Sequence, residues 1–290
     1  SGLALAPEKK PLTATSYGTG ELIAHALAHG FKEITVTVGG SAVNDGGVGM
    51  LRALGYRFLD ARGAEVGCGA QDLQKIVSVD GGGRMAALSD CKFTVLCDVS
   101  NPLLGEYGAT YVYGGQKGLS GEQFARVEAG MVHFADVAEQ YLGIRCREQA
   151  GMGAAGGMGF ALKAFLDAEI RPGIETVLAM IGMDERMAAA DLVITGEGRT
   201  DAQSAFGKAP AGVGEMAKRR NIPVVLISGA LGDGFERLYG QGVHVAVPCV
   251  DRLSSFKYVT RHAEEQLKRA ASRAAKLIAI GRQIRGKCTR

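Results

Sequence analysis

Two glycine-rich stretches carry acidic side chains where chemistry could occur. Residues 39–47 read GGSAVNDGG, with Asn44 and Asp45 ahead of the second Gly-Gly pair. Glycine lets backbone N–H groups turn toward a ligand and come close to it, which makes an anion cradle. A helix N-terminus just behind would add partial positive charge. Gly39, Gly40, Ser41 and Asn44 are therefore candidates to hold a phosphate or a carboxylate. Asp45 cannot bind an anion itself. It could ligate Mg²⁺ or accept a proton from a hydroxyl, both of which belong to phosphoryl transfer. The plainer reading is that Asp45 or Asn44 caps the helix expected at 48–55.

The second stretch is GEGRTDAQSAFGK, residues 196–208. Glu197, Arg199, Asp201, Gln203, Ser204 and Lys208 fall within these thirteen positions. Arg and Lys neutralise phosphate oxygens, and Asp or Glu binds metal. The plainer reading is a solvated loop with Asp201 capping the next helix. Asp98 and Asn101 close a third strand end, and Gln116 and Lys117 lie in the Gly-rich stretch after it.

These groups need rigid elements to position them. EITVTV (33–38), KFTVLCDV (92–99), DLVITGEG (191–198), IPVVLISGAL (222–231) and VHVAVPCV (243–250) read as strands. Helical spacing is expected at 18–30, 48–55, 121–142, 160–170, 173–182, 208–220 and 259–280. YRFLD (56–60) is strand-like, and Leu3 and Leu5 suggest an edge strand. Strands alternating with helices predict an α/β fold with a mainly parallel sheet. Ligands of such sheets sit beyond the carboxyl ends of the strands, where the polar loops above fall.

Composition narrows the field. Of 290 residues 47% are apolar and the net charge is +3, so no strong pull on nucleic acid or an anionic membrane is expected. Aromatic residues are few and Trp is absent, which argues against base-stacking platforms. The six Cys form no CxxC pair and read as reduced thiols of a cytoplasmic protein. No apolar run reaches the ~18 residues a span needs. GMGAAG (151–156) fits GxGxxG, but no buried strand precedes it. Gly207-Lys208 is not a phosphate-binding P-loop, because Ala202 and Ala209 occupy two of that motif's defining positions. His25 and His29 read as surface residues of a helix. Ser41 and Ser204 lack a GxSxG elbow.

Five blocks, taken together, resemble the bacterial-type (type 1) glycerate kinases. They are TATSYGTGELI (13–23), VGGSAVNDGGVGMLRALGYRFLD (38–60), CDVSNPLLGEYGATYVYGGQKG (97–118), GMGAAGGMGFAL (151–162) and GEGRTDAQSAFGKAPAGV (196–213). The resemblance implies two α/β domains, one Rossmann-like, with the active site in the cleft between them. Residues 1–50 and 150–290 would form the Rossmann-like domain and 51–149 the second. It implies phosphorylation of glycerate by ATP with Mg²⁺, with 2-phosphoglycerate as the favoured product. Family members usually read GGSATNDGG, where this chain has Val43. They also usually begin roughly 80–90 residues earlier, a sizeable part of an ordinary domain of about 100–200 residues. The expected missing segment belongs to the Rossmann-like domain and carries part of the site.

On that basis Asp45, Asp201, Asp98 and Arg199 are expected to be catalytic, with Asp45 and Asp201 preferred for proton transfer or Mg²⁺. Arg199 is the first candidate for the substrate carboxylate. Gly39, Gly40, Ser41, Asn44, Asn101, Lys117, Glu197, Gln203, Ser204 and Lys208 are expected around substrate and phosphates. The alternatives are a kinase of another small hydroxy acid or an inactive nucleotide-binding remnant. Glycerate and ATP are the expected partners, with no nucleic acid or membrane, and a homodimer is left open.

Overall fold

The computed structural model describes residues 2–205 and 207–288, with side chains through residue 284. Contacts divide the chain into two compact units, Ser1–Arg171 and Pro172–Arg290. The sequence-based domain assignment groups 1–50 with 150–290 and so cuts the chain differently.

In the first unit, α1 (Tyr17–Ala28) leads into β1 (Glu33–Thr37), then α2 (Val48–Ala53), β2 (Arg57–Leu59), β3 (Ser78–Asp80) and β4 (Lys92–Leu96). α3 (Ala109–Tyr113), α4 (Gln123–Leu142), α5 (Ala154–Leu166) and β5 (Glu169–Arg171) complete it. β1, β4 and β5 form a parallel sheet in the order β1-β4-β5, and β2 pairs antiparallel with β3. β-branched side chains fit a pleated surface, which is why EITVT extends. In α4 the small and apolar residues Val127, Met131, Phe134 and Ala138 recur at helical spacing on one buried face. Gly143, at φ 66°, ends that helix in the left-handed conformation. The core centres on Phe58, Phe134 and Phe160, none of which is accessible to solvent.

In the first unit the short strand β3 is not anticipated, and local order departs from expectation elsewhere too. Leu3–Leu5 forms a turn of 3₁₀ helix and not an edge strand, although Gly2 bridges Ser41 beside it. The helix expected over 160–170 ends at Leu166, because Asp167 turns left-handed at φ 46°, and Glu169–Arg171 becomes β5. Pairing with β4 decides that outcome, and nothing local signals it. At the other end of α5, Ala155, Gly156 and Gly157 are all left-handed, so the Gly/Ala stretch is a coiled entry to the helix.

In the second unit come α6 (Gly173–Met180), α7 (Met183–Ala188), β6 (Val193–Thr200), α8 (Ala209–Arg219), β7 (Val224–Leu231), α9 (Arg237–Gly240), β8 (Val245–Pro248), α10 (Phe256–Arg261) and α11 (Ala263–Cys288). β6-β7-β8 is parallel throughout. Successive β7 residues serve opposite faces: Val224 and Leu226 join one core with Ala211 and Ala217 of α8. Val225 and Ile227 join another with Ala270 and Ala274 of α11. A strand buried on both faces must be apolar at every position, which is what IPVVLI spells. The fold is α/β with parallel sheets, as the sequence predicts.

Candidate active site

In the first unit a cavity of about 220 Å³ opens just beyond the carboxyl ends of β1 and β4. Gly39, Gly40 and Ser41 leave β1 along one wall, and Cys97, Asp98 and Val99 leave β4 along another. Tyr113, Gln116 and Lys117 close a third side, with Ala154 and Ala155 at the entry to α5. A parallel sheet places ligands at such a position.

Lys117 is 2% exposed, and its Nζ donates to the Val43 carbonyl at 2.7 Å. Burial lowers its pKa from 10.5 to about 8, and the charge of Asp45 works in the opposite direction. Asp45 lies behind it, fully buried. Its Oδ2 accepts from Ser16 N at 2.7 Å, Ser16 Oγ at 2.8 Å and Gly49 N at 3.2 Å, and its Oδ1 from Gly47 N at 3.2 Å. Ser16 Oγ in turn accepts from Met50 N at 2.9 Å. Burial raises the pKa of Asp45, against the pull of these donors. The carboxylate thus ties the start of α1 to the N-terminal turn of α2. Asn44 is 1% exposed, with neither side-chain atom hydrogen-bonded.

The two glycine loops interlock at this point. Gly46 N donates to Gly156 O at 3.0 Å. A Cβ on Gly156 would stand 2.0 Å from the Val43 carbonyl oxygen, and φ is +67°. Only glycine fits there without displacement. The same Val43 carbonyl therefore receives Lys117 and touches Gly156. Asn101 does not line the cavity: its Nδ2 donates to Tyr107 O at 2.7 Å. Its Oδ1 accepts from the hydroxyl of Tyr113, which does line it. Asn101 thus orients a wall residue.

In the second unit, Arg199, Asp201, Gln203 and Ser204 follow one another from the end of β6. Arg199 Nε is 3.6 Å from Asp201 Oδ2, and the Arg199 side chain is 72% exposed. Asp201 Oδ1 accepts from Gln203 N at 3.0 Å, and buried Ser204 Oγ accepts from Asp201 N at 3.2 Å. Asp201 thereby shapes a 3₁₀ turn over Ala202–Ala205. Lys208 is exposed at the start of α8. Glu197 lines a separate cavity with residues of α10 and α11.

Sequence reasoning passed over Ser16, Tyr113 and Ala155. Ser16 gives no local signal, because its partner lies 29 positions away. Tyr113 reaches the cavity only through the short helix α3.

Among the described residues, no group of three or more His, Cys, Asp or Glu side chains is placed to hold a metal. No helix there is long and apolar enough to cross a membrane. Cys68, Cys91, Cys97, Cys146 and Cys249 are free thiols, and the Cys288 side chain lies outside the described residues.

Comparison with known proteins decides the family. The profile of the Glycerate kinase family matches residues 1–279. The chain belongs to the glycerate kinase family. A glycerate kinase of Haemophilus influenzae is 42% identical over 97% of this chain and 75% of its own length. The glycerate 2-kinase of Escherichia coli K12 is 41% identical over 99% of this chain and 76% of its own. A crystal structure from Salmonella typhimurium LT2, provisionally named glycerate kinase 2, superposes with a TM-score of 0.85 at 41% identity. It is covered over 74% of its length, against 98% of this chain. The protein is therefore a kinase, and it spans about three quarters of the length of these relatives.

Proposed function

We propose that this glycerate kinase transfers the γ-phosphoryl group of ATP to the 2-hydroxyl of glycerate, giving 2-phosphoglycerate. The observation that carries this reading is the first unit's cavity. It sets the glycine backbone of residues 39–40, the Ser41 side chain, the Lys117 ammonium and the Asp98 carboxylate around one small space. Glycerate is small, carries one carboxylate and needs one hydroxyl activated. Backbone N–H groups and Lys117 suit the carboxylate, and Asp98 suits the hydroxyl proton. The similarity to an Escherichia coli protein named glycerate 2-kinase favours the 2-position.

The sequence alone favours Asp45 and Asp201 for proton transfer. Asp45 already accepts from four donors and has no face on the cavity, so we assign it to positioning. Its partners hold the 43–47 loop, and with it the carbonyl that seats Lys117. In the second unit, Arg199 and Lys208 have exposed cationic ends suited to phosphate oxygens. Mg²⁺ fits this donor set as an ion carried mainly by nucleotide phosphates and water, with Asp98 or Asp201 as a single carboxylate ligand. When bound it neutralises the phosphoryl oxygens. In-line transfer then requires little of the protein beyond positioning and charge neutralisation. Free thiols suit a cytoplasmic setting.

The test is to incubate the 290-residue chain with D-glycerate and Mg-ATP and to identify the product by phosphorus NMR. Lactate, tartronate and glycolate run in parallel. A 2-phosphoglycerate signal selective for glycerate is expected. A 3-phosphoglycerate signal, or equal turnover of the other acids, overturns the assignment.

A further inference from the structure

Tyr113, the last residue of α3, stands part-buried in the wall of the first unit's cavity. Its hydroxyl donates to Asn101 Oδ1 at 2.5 Å. Asn101 Nδ2 in turn donates to the Tyr107 carbonyl at 2.7 Å. The direction of this chain of hydrogen bonds is fixed at its far end. A carbonyl oxygen only accepts, so the amide nitrogen of Asn101 faces Tyr107 and its amide oxygen faces Tyr113. That oxygen also only accepts, so the phenol supplies the proton. All three residues belong to one compact unit.

A phenol has one proton to give, and its oxygen can also accept. With the proton committed to Asn101, Tyr113 can only accept from whatever occupies the cavity. Burial raises the pKa of the phenol, and the Cys97 sulfur adds to the rise, so the group stays uncharged near neutral pH. The other polar side chains of the wall differ. The Lys117 ammonium only donates, and Ser41 and Gln116 can turn either a donor or an acceptor toward a ligand. Asp98 accepts with a full negative charge, which suits it to the reacting hydroxyl. Tyr113 is thus an uncharged group restricted to accepting. A carboxylate or phosphate oxygen placed against it would meet lone pairs, and a methyl group would leave it unpaired. An alcohol completes it.

We propose that Tyr113 accepts from the hydroxyl of glycerate that is not phosphorylated, and so selects acids with two adjacent hydroxyls over other small hydroxy acids. Asn101 is its positioning residue: it touches no substrate and acts by holding the phenol's proton away from the cavity. Lactate carries a methyl group where glycerate carries its hydroxymethyl, and tartronate carries a carboxylate there. The inference rests on the reading of this cavity as the glycerate site, and it gives a role to a wall residue that reading leaves unassigned.

Titration calorimetry on the 290-residue chain compares D-glycerate, D-lactate and tartronate in the wild type, in Tyr113→Phe and in Asn101→Leu. The wild type should bind glycerate about tenfold or more tightly than lactate, because a site built to hydrogen-bond a hydroxyl rejects the analogue lacking it. Tyr113→Phe should bring that ratio close to one, with the loss falling on glycerate. Asn101→Leu should release the phenol's proton to the cavity and raise tartronate affinity relative to glycerate by about tenfold. Equal binding of glycerate and lactate by the wild type overturns the proposal, whether or not the variants fold. So does a glycerate-to-lactate ratio that Tyr113→Phe leaves unchanged. Equal weakening of all three acids in Asn101→Leu overturns the positioning role, because a merely structural residue would act that way. Phosphorylation of glycerate by a wild type that binds lactate equally well would defeat this inference alone. Tyr113-dependent selection of glycerate without phosphoryl transfer would support it and defeat the proposed reaction. Failure to bind or phosphorylate any of the acids would overturn both.

Discussion

Asp45 and Asp201 stand in similar surroundings in sequence, each in a polar, glycine-containing loop after a strand, yet the structure treats them oppositely. Asp45 is fully buried and accepts from four donors drawn from residues 16, 47 and 49. Asp201 is part-exposed, turns its own loop, and has Arg199 at 3.6 Å as its ion-pair partner. The first carboxylate is fixed by long-range contacts to Ser16 together with the local amides of Gly47 and Gly49, and the second by its immediate neighbours alone. Removing the first should therefore damage the fold as well as catalysis, whereas changes around the second should affect function with little cost in stability.

The sharpest break would come from Asp45→Ala. Ser16, Gly47 and Gly49 would lose the acceptor of their backbone N–H groups inside the protein. Truncating one partner of a buried charged network costs about 3–5 kcal/mol. A urea midpoint lowered accordingly, or an insoluble product, is expected. A midpoint within error of wild type would remove Asp45 as the pin between α1 and α2. Gly156→Ala should come next. The added Cβ meets the Val43 carbonyl oxygen at 2.0 Å in a left-handed backbone. A loss of about 1–3 kcal/mol is expected from strain of this kind. Displacing Val43 should also unseat Lys117 and lower turnover beyond what the stability change explains.

Lys117 sharpens the comparison through pH. Its folded pKa is about 8 against 10.5 for an unperturbed lysine. Between these values the unfolded chain holds the proton and the folded one does not, so stability rises with pH across that window. The gain is bounded at about 3 kcal/mol. Lys117→Met should abolish that rise, seen as the difference between the two proteins' urea midpoints from pH 8 to 10. It should be no less stable than wild type near pH 7, because it no longer buries an ammonium. The same substitution should cut turnover about a hundredfold or more if the ammonium holds substrate. A parallel pH dependence in both proteins would show that Lys117 is hydrated.

Six of the eight strands and most helices were legible because their signals are local: β-branched runs, helical apolar spacing, and glycine at turns. The fate of the loops was not. Nothing in NDGG shows that Ser16 would satisfy Asp45, because that partner is brought in by the packing of α1 on α2. β5 was hidden for the same reason: AEIR continues a helical pattern until β4 offers it a ladder. Gly39, Gly40, Ser41, Asp98 and Lys117 do gather at one cavity, and the glycine pattern at strand ends anticipated that. Asn101, two positions after Val99, and Asn44, which directly precedes Asp45, lie just outside it. A residue's chemistry is visible in sequence, but which way it faces is fixed by tertiary contacts.

The smallest stability effect should follow Arg199→Ala. The side chain is 72% exposed and its ion pair with Asp201 spans 3.6 Å. Such pairs contribute about 0–1 kcal/mol, so the urea midpoint should barely move. If the guanidinium meets phosphate oxygens, its loss should show in kinetics, as a rise in KM for ATP or a fall in kcat of about tenfold or more. Arg199→Lys should recover part of this, since charge returns without the bidentate fork. High salt should weaken the wild type toward the alanine variant, because an exposed charge is screened. Unchanged kinetics together with an unchanged midpoint would leave Arg199 a solvated loop residue, and the glycine loops of the first unit would carry the phosphate contacts without it. A large loss of stability would be more damaging to the comparison itself, because the loop after β6 would then be held as tightly as the one around Asp45.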